Sequence, residues 1–355
     1  MNSIPLFIGT YTSGRSKGIY RSELNLAEGT LSSPMMVAEL ANPMFLAIHP
    51  TLDVLYSSSE VRQDGKRENA RVIAFRIAAN GMLQELGSKP AGGDGPCFVS
   101  TDRAGELAFV ANYGSGSISA YSLGPSGELL SIVSNIQHIG KSVDKSRQEG
   151  PHAHCILVDP SDKYACAIDL GLDQIVIYTI DRRSGTLTST GKPFKATLGF
   201  GPRHLAFHPN GKYAFVIHEM ASQLSSCTWD ADTGTMTEIH YLSTLPGDFT
   251  GTSITAEVLV HPNGRFVYGS NRGHDSVAVF SFDDATGKLA LVGHTSTMGK
   301  TPRNFRIDPS GSYLLVGNQD SDSIYSFRID RKNGTLEQVG EPISVGAPCC
   351  IKFVR

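Results

Sequence analysis

A short element, Gly-x-(Leu/Met), recurs seven times along the chain and constrains its fold more than any other feature. It occurs at Gly29-Thr30-Leu31, Gly81-Met82-Leu83, Gly127-Glu128-Leu129, Gly185-Thr186-Leu187, Gly234-Thr235-Met236, Gly287-Lys288-Leu289 and Gly334-Thr335-Leu336, at spacings of 52, 46, 58, 49, 53 and 47 residues. Self-similarity at this period is the mark of a repeat architecture. Each copy follows an apolar or alternating run such as SISAYSL, QIVIYTI, SVAVFSF or SIYSFRI. A Gly-containing turn between two such runs is a β-hairpin.

A second hairpin lies in each repeat. GPRHLAFHPNGKYAFVIHE, at 201–219, sets a Pro-Asn-Gly turn between two apolar runs. Its relatives are NPMFLAIHPTLDVLYSSSE, GPCFVSTDRAGELAFVANY, GPHAHCILVDPSDKYACAIDL, TAEVLVHPNGRFVYGSNRG and TPRNFRIDPSGSYLLVGNQ. A seventh is split between APCCIKFVR and PLFIGTYT, from opposite ends of the chain. The fold predicted is all-β: a seven-bladed β-propeller with four antiparallel strands per blade, its last blade closed by N- and C-terminal strands. Such closure removes free sheet edges. YAFVI, ELAFVA and YLLVG are continuous rather than alternating apolar runs, as strands covered on both faces require. No linker or composition break marks a second domain, so residues 1–355 are expected to form one domain.

Composition narrows the function. A formal net charge of −3 argues against a nucleic-acid partner. No apolar run reaches membrane-spanning length, and MNSIPLFIGTYT lacks a cleavable signal, so no membrane partner and a cytoplasmic location are expected. The six cysteines, Cys97, Cys155, Cys166, Cys227, Cys349 and Cys350, form no C-x-x-C pair and no zinc-type spacing. Reduced, inert thiols are expected, with no metal.

In a propeller whose first strands lie innermost, the HPNG and DPSG turns fall on one face and the open ends of the inner hairpins on the other. The turn face carries ordinary turn residues. The opposite face carries Tyr11, Glu60, Asn112, Tyr113, His152, His154, Asp169, Arg203, His204, His218, Glu219, Glu257, Asn271, Arg272, Arg303, Asn304, Asn318 and Gln319. Convergent polar groups at the mouth of an apolar framework are the usual form of a binding site. Any one of them has an equally good structural explanation, and Tyr11, Asn112 and Asn318 are of types that commonly bond loops. The arginines concentrated on one face favour a site for an anionic substrate and for an oxyanion formed in reaction. Histidine and glutamate beside them can exchange protons. His152 and His154, with Glu219, form a weaker candidate metal set, and no G-x-S-x-G elbow, phosphate loop or H-E-x-x-H is present. Two charged insertions, RQDGKRENAR at 62–71 and IGKSVDKSRQEG at 139–150, leave from the same face as candidate lids or as solvated loops.

FIGTYT with SKGIY, RQEGPHAH, DLGLD, GPRHLAFHPNGKYAFVIHE, AEVLVHPNGRFVYGSNRGHDSVAVF and PRNFRIDPSGSYLLVGNQ together carry a resemblance along essentially the whole chain. The sequence resembles the lactonase family of seven-bladed propellers, which includes propeller-type 6-phosphogluconolactonases and carboxy-cis,cis-muconate cyclases. The resemblance implies lactone chemistry. A small anionic lactone as substrate, no cofactor, and a monomer or weak homo-oligomer are expected. The resemblance implies catalytic roles for His154 of PHAH, Arg203 of GPRH, Glu219 of HE and Arg272 of SNRG, with His152 an alternative to His154. Substrate contacts are expected from His152, His204, His218, Glu257, Arg303, Asn304, Asn318, Gln319 and Tyr113. The reaction expected is hydrolysis of 6-phospho-D-glucono-1,5-lactone in the pentose phosphate pathway. The alternatives are action on another lactone or a muconate, and a non-catalytic scaffold. WD-repeat scaffolds carry Trp-Asp in several blades, whereas this chain has one Trp, Trp229.

Overall fold

The repeat folds as seven successive antiparallel sheets. In the computed structural model, residues 2–63 and 66–354 are described, apart from the side chains of 62–68. The hairpin of GPRHLAFHPNGKYAFVIHE forms the strands Pro202–Phe207 and Tyr213–His218, and Gln223–Asp230 and Thr235–Ser243 complete its sheet. The other sheets run over 46–90, 96–137, 153–195, 254–296, 302–344, and 3–39 with 348–353. The sheet over 153–195 has a fifth, short strand, Phe194–Lys195, paired with Gln174–Ile180. Ser3–Thr10 pairs antiparallel with Pro348–Phe353, Leu6 opposite Phe353, so the last blade is built from both ends of the chain. The architecture is the seven-bladed β-propeller that the repeats predict.

The chain divides into two compact units. One comprises Met1–Met36, His204–Thr228 and Thr237–Arg355; the other comprises Val37–Arg203 and Trp229–Met236.

Why the runs are continuous is plain from burial. Every residue of Leu107–Asn112, Tyr164–Asp169 and Tyr313–Asn318 is buried. Phe266, Tyr268 and Val279 of one sheet pack with Phe305, Leu314, Val316 and Phe327 of the next in a single cluster. Each fully buried side chain of this size contributes about 2–3 kcal/mol relative to exposure.

Both repeating turns serve to fasten one sheet to the next. The seven glycines of Gly-x-(Leu/Met) all take positive φ, for example +79° at Gly29 and +77° at Gly334, which L-residues resist. Tyr268 donates its hydroxyl to Gly334 O at 2.9 Å, Tyr56 donates to Gly127 O at 2.7 Å, and Tyr213 reaches Asp284 O at 2.8 Å. The inner turns use histidine. His49, His208 and His261 each accept a turn amide at Nδ1 and donate Nε2–H to Gly105, Gly264 or Gly311 O, at 3.0, 2.9 and 2.8 Å. Asp102, Asp159 and Asp308 fill the same place with a carboxylate that accepts turn amides. HPNG is thus a turn and a lock in one motif.

Candidate active site

Several first strands open with a local irregularity, and the candidates His154, Glu257 and Arg303 sit on it. Register shifts fall between Pro96 and Phe98, Ala153 and Cys155, Thr255 and Val258, and Pro302 and Asn304. The residues so displaced are Cys97, His154, Ala256 with Glu257, and Arg303. A bulge leaves its extra residue outside the ladder and re-aims the side chain, a device often found beside active sites.

In the unit of Val37–Arg203, Tyr113 follows the strand Leu107–Asn112 and gathers both histidines of PHAH. Its ring stacks on His152 with centroids 4.5 Å apart and meets His154 edge-on at 5.6 Å. His152 Nδ1 lies 2.9 Å from Tyr113 O and Nε2 lies 3.3 Å from Glu149 Oε1. Behind them, Asp169 Oδ1 accepts the His152 amide at 2.8 Å, while Oδ2 accepts His138 Nδ1–H at 2.6 Å; His138 Nε2 is 3.0 Å from the Tyr178 hydroxyl. His154 and Arg203 are both buried.

In the other unit, Arg272 Nη2 donates to Glu219 Oε2 at 2.8 Å and to Thr255 O at 2.7 Å. The Arg272 and Glu219 side chains are 11% and 5% exposed, so this is an ion pair sheltered from water. Glu257 accepts His204 Nδ1–H at 2.8 Å, the Val258 amide at 3.1 Å and the Asn304 side-chain amide. Asn304 Oδ1 in turn accepts the Ile351 amide at 2.8 Å. The Arg303 guanidinium lies 5.2 Å from the centre of the Tyr11 ring, in cation–π range.

Several polar ends join sheets rather than the site. Asn112 donates to Ala91 O at 3.1 Å, Asn271 to Thr244 O at 2.7 Å and Asn318 to Thr297 O at 2.8 Å. Each ends a second strand and reaches the link that follows the preceding sheet. Gln319 bonds Asp320, its chain neighbour. Glu60 is buried, and its backbone carbonyl accepts from Asn42.

His218 turns along its own sheet. Ser225 Oγ donates to Glu238 at 2.7 Å and so accepts from His218 Nε2 at 2.8 Å. Burial pushes the His218 imidazole down to about 3. Its ordinary value is 6.5. Between those two pH values the unfolded chain holds a proton at this residue that the folded chain does not. The stability contribution is therefore complete above about pH 6.5 and declines as the pH falls towards about 3, by about 1.4 kcal/mol per unit. His218→Gln is expected to remove one proton's worth of that slope, read from urea midpoints at pH 7 and pH 5. An identical slope in both proteins would contradict the assignment.

Sequence reasoning missed His138 and Tyr178, which lie behind Asp169. The available signal for His138 was positional: it follows a fourth strand, as Ala91, Thr244 and Thr297 do. Among the described residues, no three His, Cys, Asp or Glu side chains converge as metal ligands. All six cysteines are unbridged, and burial pushes the Cys349 thiol up against the pull of Arg303. Among the described residues, no helix is long and apolar enough to cross a membrane. The insertion at 62–71 continues the strands Val54–Gln63 and Lys66–Ile77, and its tip at 64–65 lies outside the described residues, as does any cover it provides.

Residues 5–353 match the family described as Lactonase, 7-bladed beta-propeller. The chain belongs to this lactonase family. Among its relatives, the 6-phosphogluconolactonase of Bacillus subtilis (strain 168) is 38% identical, covering 98% of this chain and 98% of that protein. The periplasmic gluconolactonase of Pseudomonas aeruginosa superposes with a TM-score of 0.93 at 29% identity, over 99% of each chain. A Lactobacillus plantarum protein of known structure gives 0.92 at 31% identity, over 99% of this chain and 100% of its own. This lactonase thus shares its fold end to end with the relatives, and the motifs around His154, Arg203, Glu219 and Arg272 lie within the matched region.

Proposed function

We propose that this lactonase is a 6-phosphogluconolactonase, hydrolysing 6-phospho-D-glucono-1,5-lactone to 6-phosphogluconate in the cytoplasmic pentose phosphate pathway. The observation that carries the reading is the 38% identity to the Bacillus subtilis enzyme across 98% of both chains. Residues 1–355 are read as one working domain, in a monomer or weak homo-oligomer.

The reaction adds water to the lactone carbonyl, passes through a tetrahedral oxyanion and breaks the bond to the ring oxygen, which leaves as the C5 hydroxyl. A base must take a proton from water and a proton must reach that oxygen. His154 is assigned the base, because both ring nitrogens of His152 face oxygen acceptors. The same imidazole can return the proton to the leaving oxygen. Arg203 is assigned the oxyanion, since a buried guanidinium stabilises charge as it develops. Glu219 and Arg272 hold each other in one orientation and are assigned the hydroxyl groups of the sugar ring. His204, Glu257 and Asn304 form a bonded series that contributes shape and polarity. No step needs a cofactor.

The test is hydrolysis of 6-phosphogluconolactone generated in situ, corrected for its spontaneous opening, with unphosphorylated glucono-1,5-lactone beside it. The phosphorylated lactone is expected to be preferred by at least about tenfold in kcat/KM, the usual worth of a charge-assisted contact. A rate no higher than background on the phosphorylated lactone would end the reading. A preference for the plain lactone would favour the specificity named for the Pseudomonas aeruginosa relative.

A further inference from the structure

Three sheets end their second strand with an asparagine, and the sheet that carries PHAH ends it with an aspartate. Asn112, Asn271 and Asn318 each donate Nδ2–H to a carbonyl of the link behind them, that of Ala91, Thr244 or Thr297. Their Oδ1 atoms do nothing for the first strand of their own sheet. Those of Asn112 and Asn318 are buried without a hydrogen-bond partner, and that of Asn271 accepts the Thr244 hydroxyl at 2.6 Å.

Asp169 takes the same position and works in both directions. Its Oδ2 reaches back to the link, as the asparagines do, but meets the His138 imidazole instead of a carbonyl. Its Oδ1 reaches forward and accepts the amides of His152 at 2.8 Å and Leu172 at 3.1 Å. Asp169 and His138 are both buried, and a carboxylate left alone there would be strongly disfavoured. His138 is the partner that lets it stay.

The segment gripped in this way is the one that aims His154. Both backbone groups of His152 are held by the DLGLD turn, the amide by Asp169 and the carbonyl by the Leu170 amide at 3.0 Å. Ala153 then pairs with Asp169 and Cys155 with Ile168, which leaves His154 as the extra residue of the bulge. The direction of a bulged side chain follows from the residues that flank it. Two glycines admit the segment this closely. A Cβ at Gly171 would run into Gly150 O and stand 2.9 Å from His152 N, and one at Gly116 would run into Pro151 O. The 139–150 insertion is tied to the same turn, Ser142 Oγ donating to Asp173 Oδ2 at 2.5 Å and Gln148 Nε2 to Leu170 O at 2.9 Å.

We propose that Asp169, held from behind by His138, is a positioning residue for the reaction: it fixes the strand entry whose bulge aims His154. The proposal rests on the reading of His154 as the base. A base acts only within hydrogen-bond reach of its water, and a displacement of about 1 Å costs on the order of 10²-fold in rate.

Turnover of 6-phosphogluconolactone and amide hydrogen exchange at His152, both on the full chain, test it. Asp169→Ala is expected to lower kcat per folded enzyme on the order of 10- to 100-fold, with KM little changed. Exchange at the His152 amide should speed up in the same variant. Stability lost without displacement would leave kcat per folded enzyme where it was. Asp169→Asn keeps an oxygen for the two amides, and the other imidazole tautomer of His138 can accept from its Nδ2, so most of the loss should be recovered. Gly171→Ala displaces the same segment without touching the carboxylate and should lower kcat by roughly tenfold or more. It carries the test if Asp169→Ala does not fold. A folded Asp169→Ala with wild-type kcat, or with His152 exchange as slow as in the wild type, would overturn the proposal. So would an Asp169→Asn as impaired as Asp169→Ala, or a Gly171→Ala of full kcat. Full kcat in His154→Gln would instead refute the reading of the base, and faster His152 exchange in Asp169→Ala would then leave the grip on the strand entry standing.

Discussion

Arg203→Ala is expected to lower kcat on 6-phosphogluconolactone by roughly 10²- to 10³-fold, the cost of removing one oxyanion donor. Arg203 is buried at the start of Pro202–Phe207. A buried guanidinium is already positioned before charge appears, so its interaction grows as the tetrahedral intermediate forms. The loss should therefore fall on kcat and kcat/KM together, with KM little changed. Circular dichroism and the thermal midpoint must accompany the rate, because a buried arginine also contributes to packing. A variant that folds as the wild type does and keeps full kcat would remove Arg203 from the chemistry.

The largest effect on stability is expected at Arg272. Replacing it by alanine leaves the carboxylate of Glu219, 5% exposed, without its partner at 2.8 Å. Breaking one side of a buried ion pair typically costs about 3–5 kcal/mol, since the remaining charge stays desolvated. Thr255 O would lose its guanidinium donor as well. The two residues are bonded directly, so the loss in Arg272→Ala with Glu219→Gln is expected to be smaller than the sum of the two single losses. That sign of coupling is the signature of a direct pair. Urea midpoints of the two single variants and the double variant give the answer. Single losses that simply add in the double variant would contradict a direct coupling between Arg272 and Glu219.

The architecture was legible in the sequence because it rests on local chemistry repeated seven times. A glycine that must take positive φ and a hairpin turn between apolar runs are both visible in a few residues. The site was legible only in part. Treating all hairpin ends alike grouped Asn112, Asn271 and Asn318 with His154 and Glu219. Those asparagines share the position but point to the carbonyls of Ala91, Thr244 and Thr297. A strand end offers one face to a neighbouring sheet and another to the site, and composition does not say which face a polar side chain takes. His138 was invisible for a related reason. It lies 31 residues before Asp169 and becomes its partner only when two sheets stack. The 139–150 insertion read equally well as a solvated loop, because its fastening depends on Asp173 and Leu170, residues of another hairpin.

The pairing of Ser3–Thr10 with Pro348–Phe353 bears on how the molecule comes into being. During synthesis the earliest strand emerges long before the one that will flank it, since Phe7 must find Lys352 across nearly the entire polypeptide. Contacts so distant in sequence are slow to form and confer no benefit until the intervening loop is closed. The blades of consecutive residues can condense while the ribosome is still at work, whereas this one is sealed last. A nascent chain would carry an open β edge throughout that interval, and it is there that its exposure to misassembly would be greatest.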